Sequence, residues 1–446
     1  MKTNSHYGIK SQCKGKTVFR EFTKKGINKL AQKCGYKKRN RGKINARNLI
    51  IGFMMMISKK INTYEAWASE VLALTGKSVT RQAIENRMRP ETATMLKMIL
   101  EEKLRESLSQ KNIKRVKEPA TKFRLIMLED STTINLPKEL SEVFSGNVSR
   151  GEKRSQAKIH ALYNFTENTF SFLQLCNFTN NDQSLASIVL SYLNKGDLII
   201  RDMGFLVLDV LKQLSTKGVY YISKKNSQTK VYDIDTGKEI NLVKELRRKH
   251  SLDKLVLVGK SKKLKMRLVI LPISPRQAAE RRRKAKNDRD KRLNHNKEYY
   301  ELLGYSIFIT NITNQLCKAK EIMELYGLRW RIEIIFKCWK SCFSLEKLIP
   351  SKCENPARIY SLVYLMLLYI LLFQSVWYNM YQSKLKRHEE SKLSLLKMAK
   401  FFIQHFYLLV MLDNQNKLRK QLKIQCCYDH RNDRLNTMEK YEKIVA

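Results

Sequence analysis

Four residues able to do chemistry, Tyr326, Arg329, Glu333 and Lys340, fall within the segment YGLRWRIEIIFKCWK. No Gly or Pro follows Gly327, so the segment predicts a helix from about Leu328 onward. At about 100° per residue, steps of four and seven return to one face. The four side chains therefore form one polar stripe if the helix reaches back to Tyr326, while Ile332, Ile335, Phe336 and Trp339 fall on other faces and are free to be buried. A carboxylate flanked by three long donors suits phosphodiester chemistry, because the acid can hold a hard metal ion and the donors can hold phosphate oxygens. By spacing alone, Arg329 and Glu333 fit an ordinary i,i+4 surface ion pair equally well. The decision rests on whether other acids reach the same place.

Two acids upstream qualify. KFRLIMLEDSTT reads as a strand ending at Asp130, and SQAKIHALYNF and TFSFLQLCNF read as two further strands joined by a turn at Glu167–Asn168. DQSLASIVLSYLNKG predicts a helix with Asp182 as its cap and Gly196 as its stop. DLIIRDMGF is a fourth strand ending at Asp202, with Gly204 behind it. Three consecutive strands, a helix and a strand is the order of the ribonuclease-H-like fold. Its first and fourth strands lie side by side, which would bring Asp130 and Asp202 together. Two carboxylates at neighbouring strand ends require a cation, and hard oxygen donors imply Mg2+ or Mn2+. Taken singly, either Asp reads as a strand-end cap or turn residue.

From 217 to 305, VYYISK, KVYDI, KLVLVG and MRLVIL read as short strands of a β-rich insertion. It closes with a basic run from Arg276 to Lys297, including Arg281, Arg282, Arg283 and Lys284, with only Glu280, Asp288 and Asp290 opposing it. That run fits a surface that tracks phosphates. GYSIFITNI predicts a fifth strand returning to the catalytic sheet, followed by KAKEIMELY and the polar-stripe helix.

Composition narrows the partner. The 446 residues carry 86 Lys and Arg against 41 Asp and Glu, a formal charge of +45. Such an excess points to a polyanion, nucleic acid before an anionic membrane surface. Residues 1–48 form a basic arm in which Glu21 is the one acid. Residues 49–110 read as a helical module. In it TGKSVTRQAIENRM supplies a Gly turn, a cap at Ser78 or Thr80, and a short helix from Arg81 to Met88 bearing Arg81, Gln82, Asn86 and Arg87. That arrangement is compatible with a helix-turn-helix reader and with any helical hairpin. Nine cysteines without a CxxC pair predict free thiols in a reducing cytosol, and MKTNSHYGIK has no apolar signal core. IYSLVYLMLLYILLFQSVWY, residues 359–378, is long enough to cross a bilayer. Its Ser, Gln and Tyr content and its place after the Glu333 helix favour a buried helix covering the sheet, with no membrane partner.

DST at 130–132, RDMGF at 201–205 and Tyr326-x2-Arg329-x3-Glu333-x6-Lys340 resemble the DDE transposases of bacterial insertion sequences. They look like the group with a Tyr-Arg-Glu-Lys signature and a β-strand insertion between the second Asp and the Glu, and the ITN after the insertion also fits. The resemblance covers roughly 120–380. It implies that Asp130, Asp202 and Glu333 are metal ligands and that Tyr326, Arg329 and Lys340 support DNA and the metal site. It also implies a basic helical N-terminal domain that binds terminal inverted repeats.

The expected organisation is an α/β protein with a ribonuclease-H-like core. An all-α DNA-binding domain spans 1–115, the core 116–216 and 306–380, the β-rich insertion 217–305, and a C-terminal helical region 381–446. The expected activity is cut-and-paste transposition with two Mg2+ or Mn2+ ions. The expected partners are inverted-repeat and target DNA, bound by a homodimer at the nucleoid in the bacterial cytoplasm. The alternatives are a metal-dependent nuclease without strand transfer, a DNA-binding protein with a degenerate site, and a membrane protein.

Overall fold

The computed structural model describes residues 22, 24–36, 44–109, 122–149, 151–226, 228–287, 296–382, 393–411, 421–422 and 424–427. Most of the basic arm, the later part of the 276–297 run and most of the C-terminal tail lie outside these residues. The chain divides into two units.

The first unit draws on Met1–Lys103, Leu136–Val143 and Lys337–His430. Its helices are α1 (Lys24–Lys33), α2 (Ala46–Ser58), α3 (Tyr64–Thr75), α4 (Arg81–Glu85) and α5 (Pro90–Ser109). α2 is apolar on every side and is buried from Leu49 to Met56, as a helix without a polar face must be. Gly52 lets α3 approach closely. A Cβ there would meet Val71 Cγ2 at 2.9 Å, and Trp67 Nε1 donates to the Leu49 carbonyl at 3.0 Å. Thr63 caps the start of α3, and Gly76, at φ 66°, ends it in the left-handed region. Expected to run to Met88, α4 stops at Glu85, because Pro90 disfavours helical backbone just before it and opens α5 instead.

The long apolar segment forms α13 (Pro356–Leu371), which continues as a π-helix over Leu372–Tyr378. It is expected over the sheet, but it packs within the first unit against α2 and α14 (Leu395–Met411). Its most apolar stretch is 83% buried. Mutual burial with the apolar α2 explains why both helices lack a polar face.

The second unit holds Leu104–Asn135 and Phe144–Phe336. Among the described residues, ten strands make one mixed sheet: β1 (Ile126–Leu136), β2 (Ser145–Ser149), β3 (Glu152–Asn164), β4 (Thr169–Asn177), β5 (Leu198–Arg201), β6 (Tyr220–Lys224), β7 (Val231–Tyr232), β8 (Leu252–Val258), β9 (Leu264–Pro272) and β10 (Tyr305–Thr310). Their order is β2-β3-β1-β5-β6-β10-β9-β8-β7, with β4 paired to β3. The expected neighbours, β1 and β5, run parallel, with Glu129 opposite Arg201.

VYYISK, expected in the insertion, is β6 and lies parallel beside β5. Its connection to β5 is the helix α7 (Leu208–Thr216), the kind of crossover that parallel strands require. GYSIFITNI returns to the sheet as expected, but as β10 antiparallel to β6, which takes the fifth place. Strands β7–β9 continue the same sheet antiparallel. The predicted 182–196 helix is a single turn, α6 (Asp182–Leu185), followed by a 3-10 stretch at Ile188–Tyr192.

Candidate active site

β1 does not end at Asp130 as expected but runs on to Leu136, so Asp130 lies within β1 and Asp202 just past the end of β5, each following the Glu129–Arg201 pair. β6 runs parallel to β5 with Ser223 opposite Arg201, so Lys224 continues the same row. Facing this row is the joint between α11 (Ala319–Gly327) and α12 (Trp330–Ser341). The helix expected from about Leu328 starts at Trp330 and does not reach back to Tyr326. Tyr326 lies in the last turn of α11, Arg329 lies in the joint, and Glu333 lies in the first turn of α12. Tight i,i+3 bonds carry the backbone through the joint, Arg329 N to Tyr326 O at 3.1 Å and Ile332 N to Arg329 O at 3.1 Å.

Despite the break, the side chains meet. Tyr326 donates its hydroxyl to Asp202 Oδ1 at 3.0 Å. Arg329 donates from Nη1 to Asp130 Oδ2 at 3.1 Å and from Nη2 to Glu333 Oε1. The Arg329 guanidinium also lies 5.7 Å from the Tyr326 ring centre. Two links thus tie acids 72 and 131 residues apart in sequence to one helix joint.

Lys340, expected on the same stripe, pairs with Glu346 at 3.2 Å. Of the expected DNA contacts, Arg81 pairs with Glu65 and Gln82 bonds Asn86, both on exposed surface. Arg87 lies 5.1 Å from the Tyr36 ring centre. On α9 (Pro275–Lys286), Arg281 donates to the Tyr305 carbonyl and Arg282 to the Tyr300 carbonyl; Lys284 pairs with Glu280, and Arg283 is exposed.

Burial pushes the Asp130 carboxyl up to about 7, and the nearby Asp202 and Glu333 push the same way, against Arg329 and the Ser131 N–H. Burial would lower the Arg329 pKa, but the surrounding Tyr326, Asp202, Asp130 and Glu333 hold it above its usual value. Burial also raises Tyr326, with Asp202 adding to it. Lys224 is pulled down by burial and by Arg281, and Asp202 opposes that.

Among the described residues, no group of three His, Cys, Asp or Glu side chains is gathered tightly enough to hold a metal ion. The expected convergence within metal-binding reach is therefore absent from this arrangement. Arg329 bonds two of the acids instead, and carboxylates brought together repel unless a cation lies between them. The donor set still fits a divalent ion, because it is made of hard carboxylate oxygens.

Several neighbours escaped the sequence reading. Asp182 is not the helix cap, a role taken by Asn181. Asp182 Oδ1 accepts from Ser131 Oγ at 3.1 Å and Lys158 Nζ at 2.8 Å. A Cβ on Gly204 would meet Asp182 Oδ2 at 2.8 Å. Lys224 and the buried Glu129, Arg201 and His160 were also missed. The available signal for Glu129 and Arg201 was a second charge directly before the candidate Asp in each otherwise apolar segment, LIMLED and LIIRD.

A family model described as the transposase DDE domain matches residues 121–372. The chain belongs to the DDE transposase family. It is an insertion-sequence transposase, an enzyme of the DDE nuclease and strand-transferase type that acts on DNA. Enzymes of this family use divalent metal ions. The chain is 27% identical over 421 residues to the transposase for insertion sequence element IS231E of Bacillus thuringiensis subsp. finitimus, covering 90% of this chain and 86% of that one. It is 25% identical over 414 residues to the transposase for IS1151 of Clostridium perfringens, covering 88% and 86%. Among solved structures it aligns with the piggyBac transposase synaptic complex with hairpin DNA at a TM-score of 0.45 and 10% identity, over 96% of this chain and 84% of that one.

Proposed function

We propose that Asp130, Asp202 and Glu333 are the metal-binding carboxylates of a cut-and-paste transposase of the Tyr-Arg-Glu-Lys group. The observation that carries this reading is the pair of links from one helix joint, Tyr326 to Asp202 and Arg329 to both Asp130 and Glu333. The strand order β4-β3-β1-β5-β6 supports a ribonuclease-H-like core, with β7–β9 inserted before the Glu.

The three carboxylates would hold two Mg2+ or Mn2+ ions. When bound, those ions supply a nucleophile at neutral pH and stabilise the leaving oxygen. The protein's own groups do the rest. Tyr326 fixes the Asp202 carboxyl by bonding Oδ1. Arg329 neutralises Asp130 and Glu333 before DNA arrives, then exchanges those carboxylates for a phosphate, which its planar fork matches equally well. Lys224 adds a half-buried cation beside Asp202. Lys340, released from Glu346, contacts the DNA backbone. Trp330, 63% exposed beside Arg329, offers an indole face on which a base can stack.

The helical N-terminal region, with Arg81, Gln82 and Arg87, reads the terminal inverted repeats. The α9 run, with Arg281, Arg282, Arg283 and Lys284, tracks phosphates. A homodimer pairs two element ends on the nucleoid in the bacterial cytoplasm.

The test is purified protein with Mg2+ and DNA carrying the element's ends. Cleavage and joining are expected for the parent, and neither for Asp130→Asn, Asp202→Asn or Glu333→Gln. Any of the three retaining the parent rate removes that residue from the site. Cleavage without joining would make the protein a nuclease.

A further inference from the structure

Directly behind the proposed carboxylates lies a charged group that catalysis does not use. Glu129, Arg201 and His160 are each 0% exposed. Glu129 and Arg201 are cross-strand partners on parallel β1 and β5, each one residue before a proposed metal ligand. Because strand side chains alternate, Glu129 and Arg201 share the face opposite to Asp130 and Asp202.

Arg201 Nε donates to Glu129 Oε2 at 2.8 Å, and Nη2 bonds the same oxygen. Nη2 also donates to the Ala186 carbonyl at 3.1 Å, and Nη1 reaches the Phe205 carbonyl at 3.5 Å. On β3, His160 Nε2 bonds Glu129 Oε1 at 3.1 Å. The His160 ring stacks on Phe205 with centroids 5.5 Å apart. Phe205 closes the turn that leaves Asp202, its N–H donating to the Asp202 carbonyl at 3.1 Å.

Stability alone does not account for this arrangement. Taking two charges out of water is costly, and apolar residues of similar volume commonly serve as well or better. What an ion pair adds is specificity, because a one-residue slip of β1 against β5 would leave both charges buried and unpaired. The fork of Arg201 further ties two backbone carbonyls, those of Ala186 and Phe205, to one carboxylate.

We propose that Glu129, Arg201 and His160 form a positioning clamp that sets the spacing of Asp130 and Asp202 and the direction of the Asp202–Phe205 turn. The clamp rests on the assignment of Asp130 and Asp202 as metal ligands. Its residues touch neither DNA nor metal and act through the strands.

Two variants test it: the double substitution Glu129→Leu with Arg201→Met, which keeps volume and removes both charges, and Arg201→Lys, which keeps the charge opposite Glu129 and loses the fork. Hydrogen exchange of the Phe205 and Leu206 amides in metal-free protein reports the turn directly. It is expected to quicken by about tenfold or more in both variants, with the sheet amides unchanged. Mg2+ demands near-ideal octahedral geometry, so Mg2+-supported cleavage should fall by about 100-fold, and Mn2+-supported cleavage by clearly less.

Folded variants with parent exchange rates and a parent Mg2+ to Mn2+ ratio would reduce the clamp to core packing. Failure of both variants to fold would also overturn it, since the pair would then be a requirement for folding. Failure of the site assignment is distinguishable: Asp130→Asn or Asp202→Asn would cleave at the parent rate while the exchange effect at Phe205 persisted.

Discussion

Replacing Glu333 with Gln separates chemistry from folding. Glu333 sits in the first turn of α12 and bonds Arg329, with side-chain exposures of 32% and 14% for the pair. A partly exposed ion pair contributes at most about 1 kcal/mol. A carboxylate in a helix's first turn adds about 0.3–1 kcal/mol. Gln keeps the shape and one acceptor oxygen, so the stability loss should be about 1–2 kcal/mol. Against the roughly 5–15 kcal/mol typical of folded domains, that leaves the protein folded. If Glu333 holds a divalent ion, the loss in chemistry is far larger, about a thousandfold in rate, or roughly 4 kcal/mol. The assay is single-turnover cleavage of end-containing DNA in Mg2+, with a melting curve and a DNA-binding measurement on the same preparation. A Gln variant that melts like the parent, binds DNA and cleaves at the parent rate would refute the metal-ligand role, and Glu333 would be a surface ion-pair partner of Arg329.

Replacing Arg282, Arg283 and Lys284 together with Ala should weaken DNA binding on every sequence and reduce the slope of log affinity against log salt by about 2–3, as read from binding titrations over a salt series. Arg81→Ala and Gln82→Ala should lower the preference for element ends over random DNA in competition binding. Deleting 1–115 would confound that test, because it would strip α2 from the apolar α13. Cys342, drawn down to about 6 by hydrogen bonding from Cys338 with help from Ser341, should be alkylated at pH 7 ahead of Cys34, Cys317 and Cys426, whose thiols burial pushes up. Mass spectrometry of a timed iodoacetamide reaction reads the order, which follows thiolate fraction. Gly52→Val should lower stability by about 1–3 kcal/mol in denaturant titration, because the new side chain meets Val71 at the α2–α3 crossing.

Much of the site was legible in the sequence because it rests on local rules. The apolar runs that lead into Asp130 and Asp202, and the helix that carries Glu333, follow from strand and helix patterning, although β1 runs on past Asp130 and Tyr326 belongs to the preceding helix. The charge excess pointed to nucleic acid without any fold. What local rules could not reach was decided by pairing and packing. VYYISK has the same apolar pattern in an insertion as in a central parallel strand, and only its partners β5 and β10 place it. The 359–378 helix is apolar enough for a membrane or a core, and its contact with α2 assigns it to the first unit. Gly327 marked the helix boundary, but only the tertiary structure shows that the joint after it turns one guanidinium toward two carboxylates. The charges of Glu129 and Arg201 could be read in each strand separately. Their pairing behind the proposed site depends on the register of β1 against β5, which long-range hydrogen bonds and burial set.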